Sequence, residues 1–301
     1  MSFECAVSAT RGARAYQEDA AVFWPGPATF AHGLALPEPA PDAIVAILAD
    51  GMGGHAGGAT ASEIACRTFL AGLARIDDLT PFLRTVTEST VPLKADDAED
   101  AVPGTRETTL TRPPRQAGPP RDELTAALHA ANAALDRRVA LEPALAGMGT
   151  TLVAALLTPA ALEWISVGDS PLYLCRAGEI ALLNEDHSLA PALDQLVREG
   201  RISAEAARND PRRHMLRSAL TGEEIDLVDR SRRPLQLEPG DVVVLASDGI
   251  QSLREEEIAR LVTAYRDDGA DAVSAALIRA IEDLRIRHQD NATVMVIHNP
   301  G

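Results

Sequence analysis

Four aspartates stand where apolar runs end. Asp50 closes Ile44-Val45-Ala46-Ile47-Leu48-Ala49 and precedes Gly51, and Asp248 closes Val242-Val243-Val244-Leu245-Ala246-Ser247 and precedes Gly249. Asp169 follows Trp164-Ile165-Ser166-Val167-Gly168, and Asp290, with Asn291, precedes Ala292-Thr293-Val294-Met295-Val296-Ile297. Such runs read as buried β-strands, with glycine allowing a sharp turn at the end. A lone aspartate at a strand end commonly caps a turn or helix. Four in one setting, far apart in sequence, point instead to one site assembled by folding. Clustered carboxylates repel unless protons or cations neutralise them. A donor set of oxygen alone suits hard cations such as Mg²⁺ or Mn²⁺. Asp50, Asp248 and Asp290 could bridge two such ions, with the Gly51 carbonyl as a further donor. Two ions about 3.5–4 Å apart acidify a shared water and align it for attack on phosphorus.

Other residues fit that chemistry less specifically. In Arg14-Ala15-Tyr16-Gln17-Glu18-Asp19, the Arg14 guanidinium could hold a phosphate dianion through two parallel hydrogen bonds. Glu18 and Asp19 would add negative charge on the metal side. His55 and His187 are the candidates for protonating a leaving oxygen. The glycines from Gly51 to Gly58 do not form a nucleotide-binding loop, because no Gly-Lys-Ser/Thr follows and the strand ends in an acid. No Ser/His/Asp relay is apparent, and no cysteine sits in an arginine-rich phosphate loop. Attack by metal-activated water therefore fits better than a covalent enzyme intermediate.

The elements that must position these groups are strands in blocks with helices between them. Strands are expected at 3–9, 44–49, 151–157, 162–167, 172–175, 180–183, 242–247 and 293–298. Helices are expected at 59–75, 122–141, 254–265 and 270–285, and 188–217 reads as polar and helical around Leu193, Leu196 and Val197. Hairpin spacing between 151 and 183 favours antiparallel pairing. The block pattern indicates an α+β sandwich in place of a doubly wound parallel sheet. Residues 25–42 read as an extended loop, and the proline-rich stretch 91–120 as a mobile insertion in a single domain spanning 1–301.

Composition narrows the function. A net charge of −16 supplies no basic stripe for nucleic acid. Cys5, Cys66 and Cys175 match no zinc spacing and read as reduced, buried thiols. No signal-peptide pattern and no apolar run long enough to span a bilayer are present, so a cytoplasmic protein without membrane contact is expected.

Taken in order, these stretches resemble the metal-dependent protein phosphatases, the PPM or type 2C serine/threonine phosphatases, in their bacterial form. The stretches are Arg14–Ala20, Asp50–His55, Gly149-Thr150-Thr151, Val167–Ser170, Asp186-His187-Ser188, Ser247-Asp248-Gly249 and Asp290–Val294. The resemblance implies a four-layer α-β-β-α sandwich of two antiparallel sheets flanked by helices, with the metal site at one end. It implies that Asp50 bridges two core ions, Gly51 adds its carbonyl, and Asp248 and Asp290 complete the second ion's shell with Glu18 or Asp19. Asp169 with Asp248 would hold a third, weaker ion, Arg14 would bind substrate phosphate, and residues 188–225 would form a flap beside the site. The implied reaction is hydrolysis of phosphoserine and phosphothreonine in proteins by a metal-bridging water or hydroxide. The implied partners are phosphoproteins and a serine/threonine kinase, and a monomer is expected. The chain departs from the family at Gln17, commonly Asn, at Pro171, commonly Arg, and at Met52, where some members place a general-acid histidine. None of these removes an expected ligand. The rival functions are a non-catalytic phosphoprotein-binding module and a phosphatase of small esters.

Overall fold

The computed structural model describes residues 3–24, 43–53, 56–74, 120–158 and 161–300. The expected loop at 25–42, His55, and the expected insertion at 91–120 apart from Pro120 lie outside them.

Apolar runs buried on both faces build the centre. One sheet is ordered β1 (Glu4–Thr10), β13 (Ala292–His298), β12 (Val242–Ala246), β8 (Leu172–Arg176), β9 (Glu179–Leu182). The other is ordered β10 (Asp229–Arg230), β7 (Ala161–Val167), β6 (Leu152–Thr158), β3 (Ile44–Ala49), β2 (Ala20–Trp24), with β11 (Leu235–Gln236) also on β7. Every pairing in both sheets is antiparallel.

Side chains alternate across each strand, and the alternation sorts them into layers. Ala46 and Leu48 of β3 and Val243 and Leu245 of β12 meet between the sheets. Their neighbours Val45 and Ile47 face α1 (Ala56–Ala74) and α2 (Pro120–Leu141), packing on Phe69, Leu73, Leu128 and Leu135. Val242 and Val244 face α5 (Glu255–Tyr265) and α6 (Ala270–Asp283), packing on Ile258, Val262, Val273 and Leu277. The layers run helix, sheet, sheet, helix, as the resemblance implies. The two outer helices α1 and α2 approach closely because Gly72 lacks a side chain: a Cβ there would stand 3.0 Å from the Ala127 Cβ.

The polar segment after β9 is less helical than its sequence indicates. It holds α3 (Ala190–Arg198) and the short α4 (Ala204–Arg208), the latter capped by Ser203, whose Oγ accepts from Ala206 N at 3.0 Å. Arg213 ties the segment to itself through two hydrogen bonds to Asp194, 2.8 and 3.0 Å. The isolated bridge Ser188↔Leu216 closes the segment on itself, and Thr150↔Leu220 stitches its far end to the core. The strands β10 and β11 escape a reading of periodicity because each has two residues.

Candidate metal centre

The aspartates of interest leave strands of both sheets at one end of the sandwich. Asp50 follows β3 and Asp169 follows β7, while Asp248 follows β12 and Asp290 precedes β13. The backbone of Asp50 is fixed by the small ribbon of β4 (Gly51–Met52) and β5 (Gly149–Thr150) and by its neighbour Thr151. Asp50 N donates to Thr151 Oγ1 at 3.0 Å, and Asp50 O accepts from Thr150 Oγ1 at 2.8 Å and Thr151 N at 2.9 Å. Gly168 permits Thr151 this position: φ is +106°, and a Cβ there would lie 2.5 Å from Thr151 Cγ2.

The carboxylates feel one another. Burial holds Asp50 well above the ordinary carboxylate range, and the charges of Asp19, Asp248, Asp169 and Asp290 push the same way. Burial raises Asp248, with Asp290 adding to it. Asp169 is pushed up to about 7, by burial first and then by Asp248 and Asp186. Asp19 rises to about 6 because burial outweighs the hydrogen bonds that favour its charge. Those bonds come from Ser247 Oγ and Thr293 Oγ1 to Asp19 Oδ2, at 2.8 and 2.7 Å. Asp19 Oδ1 is buried and no donor reaches it.

Glu18 and Gly51 stand together at the start of α1. A Cβ on Gly58 would lie 2.5 Å from Glu18 Oε1 and 2.9 Å from Gly51 O, so the bare glycine leaves room for both oxygens. Gly51 N donates to Glu18 O at 3.2 Å, and Ser62 Oγ donates to the same oxygen at 2.6 Å.

Arg14 reaches the same end and pairs with Asp290, the first cause of its raised pKa, with Glu18 and Asp248 contributing. Its side chain is 53% exposed, so a ligand from solvent can meet it. Asn291 holds the loop that carries it. Asn291 Oδ1 accepts from Glu18 N at 2.8 Å, and Nδ2 donates to Arg11 O at 3.1 Å and Tyr16 O at 3.0 Å.

These donors fit hard divalent ions: they are oxygens, they raise one another's proton affinity, and one buried carboxylate oxygen lacks any partner. They are not yet closed around a point. Among the described residues, no group of three or more His, Cys, Asp or Glu side chains is placed to hold an ion as it stands.

Arg14, Glu18, Asp19, Gly51, Asp50, Asp169, Asp248 and Asp290 lie at this end. His187 is a different case. It is 3% exposed, its Nδ1 accepts from Gly168 N at 3.2 Å, and burial lowers its pKa. It braces the turn before Asp169. Sequence reasoning missed the supporting roles of Asn291, Ser62, Ser247 and Thr293. Ser247 and Asn291 adjoin an aspartate already singled out and Thr293 lies three residues past Asp290, all within stretches that carry the resemblance.

Residues 38–282 match the protein phosphatase 2C family. The chain belongs to that family. It is 33% identical over 250 residues to the serine/threonine protein phosphatase PstP of Mycobacterium tuberculosis, covering 83% of this chain and 39% of PstP. The chain therefore spans about two fifths of that relative's length. A crystal structure of the M. tuberculosis serine/threonine phosphatase PstP/Ppp superposes over 100% of both chains, with TM-score 0.67 and 28% identity. A structure of the PstP catalytic domain in complex with two manganese ions superposes over 98% of this chain and 97% of that one, with TM-score 0.61 and 28% identity. No helix among the described residues is long and apolar enough to cross a membrane.

Proposed function

We propose that this chain hydrolyses phosphoserine and phosphothreonine in proteins, with Mn²⁺ or Mg²⁺ bound at the acidic end of the sandwich. One observation carries the reading: aspartates that end or precede strands of both sheets come together at one end of the sandwich, beside an accessible arginine. Asp50, Asp248 and Asp290, with the Gly51 carbonyl and Glu18 or Asp19, would hold two core ions, and Asp169 with Asp248 a third. When bound, the ions supply Lewis-acid stabilisation of phosphoryl charge and acidify the attacking water.

The protein's own part is binding, orientation and charge. Arg14 exchanges its contact with Asp290 for the phosphate dianion, which its planar fork grips in one orientation. The same contact offsets charge developing on the phosphoryl oxygens. Asn291 keeps that loop in place, so the guanidinium arrives pre-positioned. Ser247 and Thr293 hold Asp19 in one rotamer.

Membership of the protein phosphatase 2C family and the manganese-bound PstP domain support this reading. The substrates would be phosphoproteins made by a serine/threonine kinase of the same cell compartment, and the enzyme would act as a monomer in the cytoplasm. The test is phosphate release from a phosphothreonine peptide and from a small aryl phosphate, with Mn²⁺, with Mg²⁺ and with excess EDTA. Metal-dependent release with the peptide favoured in kcat/KM is expected. Folded protein inert with every metal, or faster on the small ester, would overturn it.

A further inference from the structure

We propose that His214 is the acid that protonates the departing seryl or threonyl oxygen, reaching the phosphate ester from the flap side of the metal centre. This rests on the phosphatase reading above and deepens it: that reading supplies an attacking water and a grip on phosphate, and the leaving oxygen still needs a proton.

The histidines singled out in sequence do not fill this place. His187 is buried, with Nδ1 engaged by Gly168 N, and His55 lies outside the described residues. His214 comes from the flap. A cleft of about 700 Å³ runs between α3 and the start of α5, with Asp169 in its wall, and His214 lines the same cleft. The charge of His214 also reaches Asp248, as that of Arg14 does. Arg14 arrives on the loop after β1 and pairs with Asp290, so the two cationic groups approach the carboxylates from different elements. A substrate polypeptide is too large to follow its phosphate into the site. The ester oxygen that joins the two therefore lies on the open side, where the flap stands.

The turn that carries His214 is anchored on both flanks. Arg213 N donates to Asp210 O at 3.0 Å, and Met215 N donates to Arg212 O at 2.8 Å. The Arg213 guanidinium is fixed on Asp194, and Met215 O accepts from Leu189 N at 3.0 Å. Between these anchors His214 is exposed, and its ring makes no hydrogen bond or ion pair among the described residues. A positioned backbone with uncommitted ring nitrogens is what a proton donor requires.

The reaction balances through this residue. Water that has released a proton to solvent attacks phosphorus and forms the new P–O bond. The old P–O bond breaks, and its electron pair passes to the seryl or threonyl oxygen. The N–H of the protonated ring gives that oxygen a proton, so it departs as a hydroxyl, and the neutral ring regains a proton from solvent. Positioned acids of this kind contribute about 10²–10⁴-fold. A nitrophenolate is a weak base and departs without a proton.

The experiment compares kcat of the wild type and H214A, with Mn²⁺, on a phosphothreonine peptide and on nitrophenyl phosphate. H214A should lose about 100-fold on the peptide and less than about 3-fold on nitrophenyl phosphate. The retained nitrophenyl phosphate rate also reports that the variant folds and that its site is assembled. H214Q keeps hydrogen-bonding capacity without acidity and should behave as H214A does. Imidazole added to the medium should raise the peptide rate of H214A and leave the wild type unchanged, a response that a merely structural role would not give. Equal losses on the two substrates in both variants would overturn the inference, as would an unchanged peptide rate. Either result leaves the phosphatase reading standing, because the wild type still releases phosphate with metal. A wild type inert on both substrates with every metal would overturn that reading and the inference with it.

Discussion

Strand β12 has an aspartate beyond each end, and the two meet opposite surroundings. Before it, Asp241 is 1% exposed and fully answered. Arg176 donates to both its oxygens at 2.8 and 2.7 Å, and Glu238 N adds a bond at 2.7 Å. After it, Asp248 is half-buried among Asp19, Asp50 and Asp290, with Arg14 as the nearby arginine. A carboxylate given its own arginine is a structural part. Carboxylates left mainly with one another wait for a charge from outside. The chain places both kinds on one strand, so fold and acidity do not separate them; the partner does.

Substitution should break this symmetry most visibly at the site. Asp50→Asn or Asp248→Asn should cut turnover on a phosphothreonine peptide by at least about 100-fold with metal supplied. Metal-free stability, measured by denaturant unfolding, should hold or rise as repulsion is relieved. Near-wild-type turnover in either variant would remove the distinction. At the other end, Arg176→Ala should do the reverse. It should cost about 2 kcal/mol of stability, less than the ~3–5 kcal/mol for breaking a wholly buried pair, because Arg176 is 34% exposed. Turnover of the folded variant should be unchanged, and a parallel loss of activity would show that the two ends are not independent.

A smaller effect should appear with pH. Asp19, Asp50, Asp169 and Asp248 have folded pKa values above their ordinary 3.8, about 6 for Asp19 and about 7 for Asp169. Between these limits the folded protein holds protons that the unfolded chain has released. Metal-free stability should therefore fall as pH rises from about 4 through 7. The melting temperature without metal should be a few degrees lower at pH 8 than at pH 5.5, and saturating Mn²⁺ should abolish the difference. A metal-free melting temperature that climbs over this range would contradict the account.

The layers were legible because burial on both faces writes itself as unbroken aliphatic runs, as in Ile44–Ala49 and Val242–Ala246. The carboxylates were legible because each interrupts or adjoins such a run. Arg14 and Glu18 had no such frame: their residue types suited phosphate and metal, and the resemblance made that reading specific. What stayed hidden depends on which strands become neighbours. Asp19 meets Ser247 and Thr293 only because β12 lies beside β13, and Asn291 can clasp Arg11, Tyr16 and Glu18 only because β13 lies beside β1. His187 looked available in sequence, and its role was set by the turn at Gly168 that packs over it.

The pairing of β1 with β13, from Glu4↔His298 to Thr10↔Ala292, also sets a timetable. Arg14 and Asp290 are 276 residues apart, so at about 5–20 residues per second a ribosome takes tens of seconds to supply the second after the first. During that interval β1 has no neighbour in its sheet, and its exposed edge is open to chaperones or to other nascent chains. Among the described strands, β1 gains its sheet neighbour only when β13 is made, and Asp290 reaches Arg14 no earlier.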